Sequence, residues 1–315
     1  MIETLGSGAG PDWLKFLCCP ECHADLESET ESLLCTGCAA RYPLVDGIPV
    51  FVGASEPQKT EHDMRESVAR GWLDRAPEQL LRRVSKHHNV PVMEEAVARF
   101  GRGIAEGCIV DIGCGWGWHW RAYRGPRPVL AVDFSLGNCT LAQTKFLAEN
   151  PNVCVICADA RKLPIRAAAG VWSVQAFQHL PPTVMEAVLL EIRRLARPRG
   201  LVAEIIDTKP VGLVRFVYGL FRRPYPTRVN TAKFYIHRRT PADAQALFGQ
   251  LSQDLELGYS ELFFHPDVLL RWNRWYPAAF EDKVSRTALG RAIARQLHVR
   301  VKVAGEQSSR ACDVS

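Results

Sequence analysis

Cys108-Ile-Val-Asp-Ile-Gly-Cys-Gly-Trp-Gly117 is the stretch on which the fold turns. Its first four residues are a short apolar run ending in an acid, and glycines follow at 113, 115 and 117. A buried strand that runs into a glycine turn and then a helix places a ligand at the strand's carboxyl end. Glycine serves there because a ligand must approach the backbone where a Cβ would collide. The dinucleotide fingerprint G-x-G-x-x-G needs glycine at 118, where Trp118 stands, so the spacing points away from NAD.

Reading outward, Val129 to Asp133 is a second buried strand, and its terminal acid can accept both hydroxyls of a ribose. Phe134 follows and can stack beside a base, while Ser135 fits the cap of the next helix better than Asp133 does. A third strand, Val153 to Ala158, ends in Asp159-Ala160. Cys154 and Cys157 lie three apart on that strand, face opposite ways, and belong to the core rather than to one metal ion. A fourth strand, Val171 to Gln175, leads to Ala176-Phe-Gln-His-Leu180. Pro181-Pro182 then open a helix with Val184, Val188, Ile192 and Leu195 on one face. Arg197-Pro-Arg-Gly200 turns into a fifth strand, Leu201 to Ile206. A helix near 242–251, a strand near 255–259 and strict alternation at Leu297, Val299, Val301 and Val303 predict a return to the sheet and a closing antiparallel strand.

These segments, in this order, resemble class I S-adenosylmethionine-dependent methyltransferases of the type 11-like group. The resemblance spans about residues 104–208. It implies an α/β, doubly wound Rossmann-like sheet, mostly parallel with the last strand antiparallel. By the same resemblance, Asp111 faces the amino-acid portion of S-adenosylmethionine, Gly113, Gly115 and Gly117 cradle it, Asp133 and Phe134 take the ribose and adenine, and Asp159, Ala160 and Gln175 complete the site. Arg199 stands where the family usually has a glycine, a departure that concerns the turn alone. The Asn/Asp-Pro-Pro-Tyr/Phe motif for base amines is missing after the fourth strand. Candidate bases are His179 and His119, with Tyr235 and His237 behind them.

Five of the 11 cysteines fall within the first forty residues. Cys19-Pro-Glu-Cys22 and Cys35-Thr-Gly-Cys38 are two hooks separated by twelve residues. Each can wrap two thiolates around one side of a tetrahedral zinc ion, with Leu26 to Leu34 as a hairpin between them. A module this small draws much of its folding energy from the metal. Cys18 and His23 adjoin the first hook without the right spacing. Arg41 to Val52 reads as short edge strands around a turn at Asp46-Gly47. The segment 12–52 resembles the small zinc-binding activator subunit of tRNA methyltransferases, which implies a closed, structural zinc site.

The domain expectation is a zinc-ribbon-like module at 12–55, a helical linker at 56–103 with one helix near 91–102, and a methyltransferase domain at 104–305 with substrate-side insertions at about 209–240 and 260–295. Composition is that of a globular protein, 47% hydrophobic and 23% charged. No stretch reaches the roughly 20 apolar residues of a membrane span, and no signal-peptide run precedes Leu17, so a cytoplasmic enzyme is expected. Of the net charge of +5, residues 201–315 carry 17 basic against 11 acidic side chains. Val211 to Phe221 is apolar with one Arg and reads as a lid helix on the core, or as a contact for a membrane surface or an apolar substrate. Arg222, Arg223, Arg238 and Arg239 could hold a carboxylate or phosphate. An aromatic stretch runs from Phe263 through Trp272, Trp275 and Tyr276 to Phe280. The expected acceptor is a small, apolar or aromatic metabolite, with ribosomal or transfer RNA as the alternative.

Overall fold

The computed structural model describes residues 11–52, 59–85, 88–224, 227–230, 235–262 and 278–305. The chain begins with a four-stranded antiparallel sheet: β1 (Leu26–Ser28), β2 (Ser32–Cys35), β3 (Arg41–Val45) and β4 (Ile48–Pro49). Asp46 and Gly47 both have left-handed φ, 51° and 80°, the combination that a tight hairpin with right-twisted strands requires.

Three helices follow, α1 (Lys59–Leu73), α2 (Pro77–Val84) and α3 (Val90–Arg102). The last carries the expected face, with Met93, Ala96, Val97 and Phe100 buried and Gly103 at its C-cap. The main body is β5 (Ile109–Ile112), β6 (Val129–Asp133), α4 (Leu136–Leu141), β7 (Val153–Cys157), β8 (Gly170–Val174), α5 (Pro182–Ala196), β9 (Leu201–Thr208) and α6 (Gly212–Leu220). A short hairpin, β10 (Arg228–Asn230) and β11 (Tyr235–His237), precedes α7 (Pro241–Phe248) and β12 (Leu255–Leu262). Helices α8 (Ala278–Ser285) and α9 (Ala288–Ile293) lead into β13 (Ala294–Val303).

Seven strands form one sheet in the order β12-β13-β9-β8-β5-β6-β7. Pairings among β5 to β9 are parallel, whereas β13 runs antiparallel to β9 and β12. The closing strand is therefore wedged inside the sheet, not at its edge. The strand order reverses between β5 and β8, the switch point at which open α/β sheets bind ligands. Strands buried on both faces read as continuous apolar runs, and β5, β6 and β7 are buried at every position. Cys154 packs into one core cluster and Cys157 into the other, on opposite faces of β7.

The N-terminal module docks on the β7 side of this sheet. Val50 bridges Cys157 in parallel and Leu17 bridges Ile165 in antiparallel fashion. The Phe51 N–H donates to the Cys157 carbonyl at 2.8 Å. Trp13, Leu17, Tyr42 and Phe51 share one apolar cluster with Val132, Ile156 and Ile165. Ion pairs Lys162–Glu21 (2.7 Å) and Arg166–Asp25 (2.6 Å) rim the seam. An exposed strand edge is thereby covered by the protein's own chain.

The lid expected from 211–221 is a helix, but not a packed one: Phe216, Leu220 and Phe221 are 63%, 66% and 72% exposed. Burial is the usual fate of an apolar run, so the exposure of these side chains removes the packed-lid reading and leaves that of a surface contact. The aromatic stretch 263–277 lies outside the described residues. Phe280, at its far end, is exposed.

Candidate functional site

At the carboxyl ends of β5, β6, β7 and β8 lies a cavity of about 710 Å³, within the range of roughly 300–1,000 Å³ typical of small-molecule sites. Its floor is the turn after β5. Gly113, Gly115 and Gly117 have φ of 75°, 55° and 64°, a region in which glycine is at ease. A Cβ on Gly113 would lie 2.4 Å from the Ala176 side chain, and one on Gly117 would lie 2.8 Å from Leu147. At Gly115 nothing lies within 4 Å, so its backbone faces open cavity.

Asp133 ends β6 on the cavity wall and is 7% exposed. Its Oδ2 accepts the Gly115 N–H at 2.9 Å, and its Oδ1 accepts the Ser135 N–H and an Asn138 amide hydrogen. Burial raises its pKa, against the pull of Arg65 and of these hydrogen bonds. Ser135 is the N-cap of α4, accepting the Asn138 N–H, so capping and ligand-facing acids are separate residues.

Phe134, Asp159, Ala160 and Gln175 also line the cavity. Asp159 is held by a fork from Arg161, at 2.9 and 2.5 Å from Nε and Nη2 to Oδ2. Gln175 adopts φ 56° and donates its N–H to the Ile206 carbonyl at 2.6 Å. That conformation costs a non-glycine residue roughly 1–3 kcal/mol, and it turns the chain after β8 across the cavity.

Asp111 is set behind the wall and fully buried. Its Oδ2 accepts hydrogen bonds from His119 Nε2 (2.9 Å) and Trp120 Nε1 (2.7 Å). It thus anchors the segment after the glycine turn, and His119 reaches the cavity with one nitrogen already committed.

His179 lies on the opposite wall, next to Leu180 and Val184. Its Nδ1 lies 2.9 Å from the Tyr235 carbonyl. A carbonyl only accepts, so Nδ1 carries the proton and Nε2 is the basic nitrogen, 3.2 Å from the Gln178 amide. Burial, with Arg65 nearby, lowers the imidazole pKa to about 4. The Gln178 carbonyl in turn accepts from the Thr208 N–H at the end of β9.

Behind this wall Arg239 pairs with Asp207 at 2.7 Å, both nearly inaccessible, and donates to the Phe177 carbonyl. Burial pushes the Asp207 carboxyl up to about 6, with Arg239 opposing the rise. This corrects the expectation that Arg239 is open to a substrate anion: its charge is spent inside the protein. His237 Nε2 lies 3.4 Å from Arg228 Nε across the β10–β11 hairpin.

The cavity roof was not legible in the sequence. His62, Arg65 and Val68 of α1 line it, and the His62 ring sits 5.5 Å from Phe134. Glu66 fastens α1 to the start of α4, accepting from Ser135 Oγ at 2.7 Å and from the Gly137 N–H at 3.0 Å. The spacing 62, 65, 66 is one helix face, but on a polar helix such a face looks like a solvated one.

In the N-terminal module the Sγ atoms of Cys19, Cys22, Cys35 and Cys38 lie within 4.8 Å of one another. Cys19–Cys38 and Cys22–Cys35 are 3.7 and 3.4 Å apart, against about 3.8 Å for thiolates around tetrahedral zinc. Backbone N–H groups of Glu21, Gly37 and Cys38 point at the sulfurs of Cys19 and Cys35. Burial opposes ionisation of Cys19, but hydrogen bonds from Tyr42 and the backbone outweigh it and bring the thiol down to about 6. The donor set fits a closed, structural zinc site. Cys18 and His23 stand outside it, 4.0 Å from each other.

Residues 109–200 match the family described as methyltransferase domain, and residues 11–47 match the Trm112p-like protein family. No curated protein matches the chain. Among solved structures, a chain of the Haloferax volcanii Trm112 methyltransferase activator complex is 16% identical with TM-score 0.47, covering 80% of this chain and 100% of that one. The DhpI–S-adenosylhomocysteine complex is 16% identical with TM-score 0.48, covering 79% and 97%. A Burkholderia thailandensis 1,6-didemethyltoxoflavin-N1-methyltransferase, with that compound and S-adenosylhomocysteine bound, is 14% identical with TM-score 0.48, covering 89% and 100%. With its glycine turn, its acid-ended strands and both domain matches in one polypeptide, the chain is an S-adenosylmethionine-dependent methyltransferase that carries a Trm112p-like zinc module at its N-terminus.

Proposed function

We propose that this enzyme methylates a small, largely apolar or aromatic metabolite enclosed between the α1 roof and the wall formed by His179, Leu180 and Val184. The observation that carries the reading is the apolar part of the cavity lining, to which Val52, Val68, Leu180 and Val184 contribute. Residues 12–55 serve as the zinc module, 56–103 as a helical linker whose first helix roofs the cavity, and 104–305 as the catalytic domain.

In the proposed arrangement Asp133 accepts the ribose hydroxyls, Phe134 and Ala160 flank the adenine, Asp159 lies toward its amino group, and Gly115 and Gln175 present backbone to the amino-acid end. Asp111 acts from behind by fixing the segment 117–120. S-adenosylmethionine, when bound, supplies a methyl group already activated by its sulfonium. The protein's part is to orient the acceptor for in-line attack and to exclude water. His179, neutral at pH 7, offers Nε2 as a hydrogen-bond acceptor and is too weak a base to draw a proton off strongly. Positioning therefore supplies most of the acceleration.

Two measurements test this. Asp133→Ala should bind S-adenosylmethionine about 10- to 100-fold more weakly, the loss of a charge-assisted hydrogen bond worth roughly 1.5–3 kcal/mol. Wild-type affinity in calorimetry would remove Asp133 from the site. For the acceptor, the enzyme is incubated with labelled cofactor and either total RNA or a metabolite extract, over about 50–200 mM salt, where phosphate contacts reveal themselves. Salt-insensitive transfer to a small molecule is expected. Salt-sensitive transfer to RNA alone would establish the RNA reading instead.

A further inference from the structure

We infer that α6 and the turn after it dock the enzyme on an anionic lipid surface. The charge of the C-terminal third is not evenly spread. Between Asp207 and Asp243, residues 208–242 contain eight Lys and Arg and not one Asp or Glu. Two of the eight are turned inward: Arg239 pairs with Asp207, and Lys209 is buried near Tyr259. Arg222, Arg223 and Arg228 are exposed.

Within the same stretch sits the densest exposed apolar surface among the described residues. Phe216, Leu220 and Phe221 are three of the eight exposed large hydrophobics, and they fall within six residues. Phe216 and Leu220 are one helical turn apart and share a face; Phe221 and Arg222 follow at once, with Arg222 held at φ 51°. Large apolar side chains standing in water beside arginines, with no acid between, are the pattern of a helix lying in a headgroup layer. Charge decides the occupant. A neutral protein partner would not require a segment cleared of carboxylates, and RNA would not require Leu220, which neither stacks well nor donates a hydrogen bond.

The position suits delivery of an apolar molecule. Strand β9 ends at Thr208, whose N–H meets Gln178 beside His179 in the cavity wall. Helix α6 starts four residues later, at Gly212, past the carboxyl end of β9, which runs parallel to β8. The inference stands on the exposed apolar side chains at the end of α6 and the arginines of the turn after it, and does not depend on the acceptor proposed above.

The test uses the full chain and sedimentation with vesicles of phosphatidylcholine alone or with one quarter phosphatidylglycerol. Binding to the anionic vesicles is expected, falling with salt and absent on phosphatidylcholine. Arg222→Ala/Arg223→Ala should weaken it about 30-fold, at about 1 kcal/mol per arginine, and Phe216→Ser/Phe221→Ser should abolish it. Both variants alter exposed side chains, so unchanged melting temperature and cofactor affinity certify their folds. No sedimentation with anionic vesicles, or sedimentation indifferent to both variants, overturns the inference. So does total RNA that binds the wild type and is lost with the same variants while vesicles are ignored.

Discussion

The zinc module and the cofactor cavity are both recognisable from short, closely spaced motifs, yet they hold their shapes by different means. Residues 11–52 form a sheet of two- to five-residue strands whose centre is four sulfurs. The cavity sits on a seven-stranded sheet whose strands β5, β6 and β7 are buried at every position. In the first, removing one ligand atom removes the organising centre. In the second, a single side chain is one contribution among many, and its loss is local. Where the two meet, the module covers the β7 edge, so its failure would reach the catalytic domain.

The largest effect that this contrast anticipates is metal loss. One zinc per chain is expected by elemental analysis, and Cys35→Ser should lose it, since structural zinc supplies apparent binding energies on the order of 10 kcal/mol. Exposure of Leu17, Tyr42 and Phe51 should then lower solubility and the melting temperature of the whole chain. A Cys35→Ser protein with full zinc content would break the comparison at its root.

Next is the buried pair behind the cavity wall. Arg239→Ala leaves Asp207 without its partner and should cost about 3–5 kcal/mol. The sign with pH is informative. Burial already raises the Asp207 pKa to about 6, so the folded state favours its neutral form and the deficit of the variant should shrink as pH falls from 7 to 5. Denaturant melts at both pH values would check it, and a pH-independent deficit would mean that the loss is one of packing.

His179 has the opposite slope. Its folded pKa of about 4 lies below the usual 6.5, so the unfolded chain takes up the proton first. Stability should fall as pH drops from 6.5 to 4, by at most about 3 kcal/mol. His179→Gln should flatten that limb of a melting-temperature profile while leaving zinc content unchanged.

The smallest effect concerns the roof. Glu66→Ala removes the carboxylate that ties α1 to the start of α4 and should cost about 1 kcal/mol. Because α1 covers the cavity, cofactor affinity should drop several-fold while the zinc module is untouched. Unaltered cofactor dissociation rates would show that α1 plays no part in retention.

Legibility followed the range of the interactions. The glycine turn, Asp133 at the end of β6, Asp159 just past β7, the cap at Ser135 and the Cys hooks are encoded within a few residues of where they act. The roof was illegible because Glu66 meets Gly137 across 71 positions, and nothing local marks it. Arg239 was misread for the same reason: an arginine among arginines looks exposed until Asp207 is brought to it. The α6 run leaves a packed lid and a surface contact both open in the sequence, because hydrophobicity does not say what will cover it; only the exposure of Phe216, Leu220 and Phe221 separates the two.

What the sequence by itself determined is therefore the chemistry of contact with a ligand: left-handed turns at Gly113, Gly115 and Gly117, a carboxylate at Asp133, and four thiols at two fixed spacings. Backbone sterics and ligand number impose these locally, whatever the rest of the chain does. Tertiary structure alone decided which charges face the cavity and which cancel inside the protein, which helix closes the site, and that β13 lies between β9 and β12. Those outcomes depend on desolvation and on partners brought from distant positions, and a charged or apolar side chain has no fixed role until its neighbours are assembled around it.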